Sequence, residues 1–206
     1  KYTSFVVVAL LVSGLYLALQ IKVGNPTEGS NLLFENSEFN TAVRAINSHF
    51  PGLMTLEVVF EVKDLEADGD QRMLRTNEAV QAMFELQRRL EAAPNPPEAT
   101  LSFADYLPEA QRLFNGGNPK WSVIDTNDDA SNAAVGALLL GSNTKNYSHV
   151  SDFVLENGTV SLWYKDNKQE TVDLALEQTR AALDLVGLDH NNFRIRLGTG
   201  AIALQQ

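Results

Sequence analysis

The chain has 206 residues, with 26 acidic and 16 basic side chains and a formal net charge of −10. A surface this acidic repels phosphate groups, so the composition argues against a nucleic-acid-binding protein. There is no cysteine, which excludes disulfides, zinc–thiolate sites and cysteine nucleophiles.

An apolar run opens the chain, from Phe5 to Ile21, and contains neither a charge nor a proline. With Thr3 included it reaches the roughly 17 to 25 residues that an α-helix needs to cross a bilayer. A buried helix of a soluble protein and a signal peptide are the alternatives, although the residues before Lys22 make a poor cleavage site. We expect a transmembrane helix over residues 1–22, and the shortage of Lys and Arg after it favours an extracytoplasmic location for the remainder.

The next predicted helix begins with Ser37 as its N-cap, and Glu38 in the first turn complements the helix dipole. Its apolar residues recur every three or four positions and predict a buried face made of Phe39, Ala42, Val43, Ile46 and Phe50. The Pro51-Gly52 pair ends the helix.

A strand–helix–strand unit follows. Thr55–Val62 alternates between apolar and polar residues, which is typical of a strand with one buried face. Thr76 or Asn77 caps a helix that runs to about Ala93, and a short strand follows at residues 99–103.

The middle of the chain, from Ala104 to Val150, has a less regular pattern. It predicts a helix at Tyr106–Phe114, ended by two glycines, and a helix at Ala130–Leu140, capped by Asp128 or Asp129. An insert of this length should carry structure or function of its own. We expect it to line a substrate path and to be removable without unfolding the rest.

A second unit closes the chain. Asn157-Gly158 between apolar residues predicts a hairpin that joins Phe153–Leu155 to Thr159–Tyr164. A helix at Gln169–Val186 and an alternating strand at Phe193–Leu197 follow.

This order of elements predicts an α+β fold. Two βαβ units of this kind form a ferredoxin-like antiparallel sheet with helices on one face. The domain of residues 23–206 then has a core at about 53–103 and 150–197, with a helical insert at about 104–149.

The chemical motifs are weak. The acidic turn at residues 64–70 and the Asp125-Asp129 stretch imitate calcium loops, but each lacks the closing Glu that such a loop requires. The three histidines are scattered, with no partner at metal-ligand spacing. We therefore expect no enzyme, and no catalytic, metal or cofactor-binding residue.

An apolar groove is the remaining site hypothesis, with ordinary core packing as its alternative. The candidate lining residues are large apolar side chains: Phe114, Trp121, Leu138, Leu139 and Trp163.

Four segments are distributed along the chain: VGNPTEGSNLLFENSEFNTAVRAINSHFPG after the apolar run, SFADYLPEAQRLFNGGNPKW at Ser102–Trp121, VSLWYKDNKQET at Val160–Thr171 and RIRLGTGAIALQQ at Arg194–Gln206. Together they resemble the extracytoplasmic loop of resistance–nodulation–division (RND) transporters, in the predicted-exporter branch near the MMPL-type and hopanoid transporters, and the resemblance extends over nearly the whole chain. The second segment includes Asp105, Gly116, Gly117, Pro119 and Trp121 of the branch motif.

The resemblance implies a proton-gradient-driven exporter of lipids or other hydrophobic compounds in the bacterial inner membrane. This chain would supply one membrane helix and a periplasmic porter domain, while the proton-relay carboxylates of the family lie in later helices. The implied partners are the remaining membrane helices, the bilayer, an apolar substrate and possible homo-oligomer or periplasmic accessory contacts. A single-helix-anchored periplasmic binding or sensor module is the alternative.

Overall fold

The computed structural model describes residues 2–19, 29–30, 32–63, 72–124, 126–198 and 200–202. The acidic turn at residues 64–70 and the Asp125 position of the second imitation calcium loop lie outside these residues. The helices and strands of the described chain are, in order, α1 (Tyr2–Leu19), α2 (Glu38–His49), β1 (Met54–Val62), α3 (Asn77–Glu91), β2 (Ala99–Ser102), α4 (Tyr106–Phe114), α5 (Asp128–Leu140), β3 (Gly158–Tyr164), α6 (Gln169–Val186) and β4 (Phe193–Leu197).

The four strands form one antiparallel sheet in the order β2-β3-β1-β4. Leu56 of β1 pairs with Leu162 of β3, and Phe60 pairs with Ile195 of β4. Helix α3 connects β1 to β2, and α6 connects β3 to β4. The predicted α+β class with an antiparallel sheet is therefore confirmed.

The core lies on one face of this sheet. The alternating residues of β1 that point to that face are fully or almost fully buried, as the period-two pattern predicts. Phe60 stacks on Phe193 with ring centroids 5.9 Å apart. Helices α3 and α6 contact each other and cover the face with apolar residues: Val80, Met83, Leu86, Leu90, Val172, Leu176 and Leu183.

The insert helices α4 and α5 form as predicted, but they share this core. Leu107 and Val135 are fully buried, and Tyr147 and Val150 join the same apolar cluster as the sheet. The insert is therefore not separable from the fold, and the expectation that it can be removed without unfolding the rest is not supported.

The N-cap of α5 also differs from the prediction. Asn127, and not Asp128 or Asp129, accepts the backbone N–H of Ala130 at 2.8 Å. Asp128 instead accepts the backbone N–H of Asn77 at 2.7 Å, so it ties the start of α5 to the start of α3.

The predicted hairpin at Asn157-Gly158 is wrong, because residues 153–155 form turns and not a strand. The Asp152 carboxylate accepts the backbone N–H groups of Glu156 and Asn157 at 2.9 and 3.0 Å, which closes a wider loop. Leu155 takes a left-handed conformation with φ 64° inside that loop. The Asn157 side chain accepts the N–H of Val62 at 3.1 Å, so this residue fixes the loop to the end of β1.

Helix α2 has the predicted bounds and the predicted Ser37 cap, but of its predicted apolar face only Val43 is buried. Phe39, Ala42, Ile46 and Phe50 are exposed. The residues that α2 buries are Asn40, Val43 and Asn47.

Helix α1 begins three residues before the predicted apolar run and covers it from Phe5 to Leu19. Its described side chains, those of residues 6–18, are all exposed. Among the residues that the structure describes, no helix is both long enough and apolar enough to cross a membrane.

Candidate functional site

The described side chains include no group of three or more His, Asp or Glu residues that could hold a metal ion. His190 has a carboxylate neighbour, with its Nδ1 atom 3.0 Å from Glu78 Oε1. Its ring stacks on the buried Phe193 ring at 4.3 Å, so this histidine joins the α6–β4 turn to α3.

Four large apolar side chains of the middle section are exposed around the turn that follows α4. We call Leu113, Phe114, Trp121 and Val123 the insert tip. Their side chains are exposed, with fractions of 66% for Phe114 and 48% for Trp121. Large apolar groups that remain in water at one place mark a surface that other molecules contact.

The turn that creates the insert tip depends on two glycines. Gly116 and Gly117 have φ angles of 74° and 81°, a left-handed region that side chains with a Cβ rarely occupy. The chain then enters a short 3-10 helix at Pro119–Trp121, whose N-cap Asn118 accepts the N–H of Lys120 at 3.1 Å. These residues return the chain against α4 and bring Trp121 to the same end of the insert as Phe114.

Arg112 holds this turn in place. Its guanidinium donates to the Gly117 carbonyl at 2.9 Å and to Glu109 Oε2 at 2.8 Å. The hydrogen bond from Arg112 holds the pKa of the Glu109 carboxyl below its ordinary value. On the other side of the turn, the buried Ile124 anchors the chain just after Val123. The apolar side chains of the tip thus stand on a fixed backbone.

The base of the insert is fixed by a polar network around Asp105. Its Oδ2 atom accepts the backbone N–H of Ser102 at 2.6 Å and the side-chain amide of Gln87 at 2.7 Å. Ser102 and Asp105 form a capping box, and Ser102 Oγ also donates to Gln87 Oε1 at 2.9 Å. Since Gln87 lies on α3, the network sets the direction in which α4 leaves β2.

The structure brings together only two of the five predicted groove residues. Phe114 and Trp121 belong to the insert tip, whereas Leu138 and Leu139 are half-buried on α5 and pack against the core. Trp163 lies on β3, on the face of the sheet opposite the core, beside Thr55 and Ala99. The sequence analysis missed Leu113 and Val123, although each is the direct neighbour of another apolar residue, Phe114 and Ile124, on either side of the Gly-Gly turn.

The face of the sheet opposite the core also carries carboxylates that form hydrogen bonds and ion pairs. Glu57 on β1 accepts a hydrogen bond from Ser161 Oγ of β3 at 2.5 Å. Burial raises the pKa of the Glu57 carboxyl, and the Ser161 hydrogen bond partly opposes that rise. Near the β4 edge, Glu61 pairs with Arg194 at 2.7 Å and Arg196 at 3.0 Å, and the hydrogen bond from Arg194 lowers the pKa of Glu61.

Comparison with known proteins found no matching family model, no similar curated protein and no similar solved structure.

Proposed function

We propose that this chain is the membrane helix and periplasmic porter domain of an RND-type exporter, driven by the proton gradient and acting on lipids or other hydrophobic compounds. The single observation that carries the proposal is the pairing of α1, an apolar helix exposed along its described length, with an acidic α+β domain that exposes further apolar side chains.

The character of α1 supports membrane insertion. Its described side chains carry no charge, and large apolar residues point to every side of the helix: Val6, Val7, Val8, Leu10, Leu11, Val12, Leu15 and Leu17. A helix that is apolar all round is stable in lipid or in a deep core, and these side chains are not in a core. The predicted span, Thr3–Ile21, extends past the described side chains at both ends, and 18 helical residues rise by about 27 Å.

The strand order supports a ferredoxin-like porter fold. In a pair of interleaved βαβ units, each unit leaves room between its two strands for one strand of the other. The order β2-β3-β1-β4 has this form, because β3 lies between β1 and β2 while β1 lies between β3 and β4. Helices α3 and α6 are the two crossover helices of such a pair.

The insert tip supports an apolar cargo. Phe114 and Trp121 lie on a fixed turn and are open to solvent, so an apolar molecule can cover them without unfolding the domain. Burial of one such side chain against a ligand contributes roughly 1.5 to 3 kcal/mol.

Cysteine labelling tests the topology on which the proposal depends. Ser48 and Ser148 are both exposed, and the chain has no native cysteine that would react in their place. We expect Ser48→Cys and Ser148→Cys to react with a membrane-impermeant maleimide in intact cells whose outer membrane has been permeabilised. A membrane-permeant maleimide is the control for reactivity. Labelling of both positions only after lysis would place the domain in the cytoplasm and refute the proposal.

A further inference from the structure

Helix α2 and its C-cap leave three large apolar side chains in solvent. Phe39, Ile46 and Phe50 have exposed fractions of 53%, 38% and 63%. The side chains that α2 buries are two asparagines and one valine: Asn40, Val43 and Asn47. An ordinary surface helix buries its apolar stripe, whereas most of this stripe is exposed.

Hydrogen bonds from the two asparagines fix this orientation. Asn40 accepts the N–H of Ser30 at 2.8 Å and donates to the carbonyls of Ser30 and Phe34 at 3.1 and 3.0 Å. Asn47 donates to the Lys165 carbonyl, just after β3, at 2.7 Å. A rotation of α2 that buried Phe39 and Ile46 would break these bonds, so the apolar side is held outward by specific contacts.

The chain on either side of α2 exposes further large apolar side chains, and Asn40 holds the Ser30 and Phe34 carbonyls beside the helix. We call Phe39, Ile46 and Phe50, together with Leu32, Leu33, Phe34 and Leu53, the α2 apolar surface; all seven are exposed. Leu32 and Phe34 protrude almost completely, with exposed fractions of 96% and 91%. Monomeric proteins rarely leave so many large apolar side chains together in water, so this surface has an occupant.

The position of the surface in the chain indicates which occupant. Ser30 is tied to α2 by Asn40, and at full extension the chain between Leu19 and Ser30 spans at most about 40 Å. The α2 apolar surface is thus held close to the end of α1. Because this connection is short, the α2 apolar surface experiences a high local concentration of the molecules that surround α1, which favours contact with them.

We propose that α2 lies flat on the lipid bilayer that α1 enters, with its apolar surface inserted at the boundary between headgroups and acyl chains. This inference rests on the proposed membrane attachment of α1. The opposite side of the helix suits water, since Thr41 and Ser48 are exposed there. Such a division between an apolar and a polar face is characteristic of an interfacial helix.

The charges of the segment indicate which lipids it prefers. Helix α2 carries Glu38 and Arg44, and the whole chain has a net charge of −10, so it lacks the basic residues that bind anionic headgroups. The contact therefore depends on apolar insertion, and it is expected to be stronger on zwitterionic than on anionic lipid at low salt.

Depth-dependent quenching on the full chain tests the proposal. Because the chain has no cysteine, Ile46→Cys and Phe39→Cys each give one labelling site for an environment-sensitive fluorophore. Thr41→Cys and Ser48→Cys, on the polar side of the same helix, are the matched controls. Leu11→Cys reports independently on α1. Each labelled chain is reconstituted in phosphatidylcholine vesicles with nitroxide-bearing lipid, and iodide is the quencher in water.

We expect lipid nitroxide to quench the labels at positions 46 and 39 several-fold more than the labels at positions 41 and 48, with the reverse order for iodide. If lipid nitroxide quenches the label at position 11 while the label at position 46 is shielded from both quenchers, a protein surface covers α2 and the inference is overturned. Free access of iodide to position 46 overturns it as well. If lipid does not quench Leu11, the membrane attachment fails and the inference fails with it.

Discussion

Asp105 is exposed, yet its Oδ2 atom accepts hydrogen bonds from two groups at once, the Ser102 backbone N–H and the Gln87 side-chain amide. Ser102 and Gln87 are themselves buried, so they cannot turn to water if the carboxylate is lost. We predict that Asp105→Ala lowers the free energy of unfolding by about 1–3 kcal/mol, which is typical when a buried partner is left unpaired.

Thermal denaturation of the full chain in detergent measures this effect. Glu177→Ala, an exposed position on α6, is the control and should change the free energy of unfolding by less than about 0.5 kcal/mol. Equal effects of the two substitutions would show that the Asp105 network does not stabilise the fold.

Glu57 should make the stability depend on pH in the direction opposite to most acidic residues. Burial raises its pKa above the ordinary carboxyl value of 4.5, so the folded state binds the proton more tightly than the unfolded state does. The stabilisation that this group contributes is fully present below the unfolded pKa and is lost as the pH rises through the folded pKa. We predict that Glu57→Gln removes that loss, so its stability relative to the original chain increases from pH 4 to pH 7.

Denaturation at the two pH values tests the sign. Ser161→Ala is the matched variant: it removes the hydrogen bond that opposes the rise, so the pKa of Glu57 should increase further in a carboxyl titration followed by NMR. A constant difference between Glu57→Gln and the original chain across this range would contradict the prediction.

The helix caps were predictable from the sequence to different degrees. Ser37 caps α2 as expected, and Thr76 caps α3, where the sequence left Thr76 and Asn77 open; each accepts a backbone N–H in the first turn. The cap of α5 was misassigned because Asn127 and two aspartates stand side by side. The contact of Asp128 with α3, which decides between them, depends on residues far away in the sequence.

At the scale of elements, the insert tip and the core beneath it should respond differently to the same kind of substitution. Trp121→Ala removes a side chain that is half in water, so we predict a loss of less than about 1 kcal/mol. Leu107→Ala, on α4 but fully buried, should cost about 2–5 kcal/mol. Urea denaturation of both variants compares the two values.

Binding at the tip is tested with Phe114→Ala, which leaves both tryptophans as fluorescent reporters. If an apolar ligand covers Phe114, this variant should bind a lipid monomer about ten- to a hundredfold more weakly. Leu185→Ala, an equally exposed position on α6, should bind as the original chain does. The same affinity in all three chains would remove the insert tip as a ligand surface.

The bounds of α4, α6 and β4 agree with the sequence prediction, because Gly-Gly, Gly187 and strict alternation are local signals. The orientation of α2 could not be obtained in this way. Its periodicity identifies which residues share an apolar face, but it does not say whether that face meets the protein or something else. Asn40 and Asn47 decide the orientation, and their partners at Ser30 and Lys165 become visible only in the folded chain.

For the whole molecule, the shared core predicts the result of removing the insert. Deletion of residues 104–149 would take Leu107, Val135 and Tyr147 out of one continuous apolar cluster. The faces of α3 and β2 that the insert now covers would be exposed to solvent. We therefore expect the shortened chain to lose its cooperative thermal transition in circular dichroism.

A gentler change to the same insert serves as the control. Replacement of residues 118–122 by a Gly-Ser segment of equal length removes exposed or half-buried residues, including Trp121, and should preserve the transition. A deletion variant that still unfolds cooperatively would show that the insert is an independent attachment after all.

The fold class was predictable because its signals repeat: two alternating strands and two long amphipathic helices agree with one another. The role of the insert was not, since the sequence does not show that Val135 and Val150 pack in the same apolar cluster as the sheet. The wide loop before β3 escaped prediction for a related reason. The Asn157 side chain binds Val62 of β1, so it does not form the tight turn that its neighbour Gly158 suggested.

The segment that follows β4 returns to the start of β1, so the chain enters and leaves the sheet at neighbouring positions. β1 begins at Met54, and beyond β4 the N–H of Ile202 donates to the Thr55 carbonyl at 3.1 Å. Gly200, with φ 108°, permits this approach, because a Cβ there would come within 2.3 Å of the same carbonyl oxygen. Domains whose two ends adjoin tolerate insertion into other proteins and circular permutation, and closing such short gaps costs little entropy. The α+β domain can thus be inserted into a loop of a longer polypeptide while the segments on either side of the insertion stay close together.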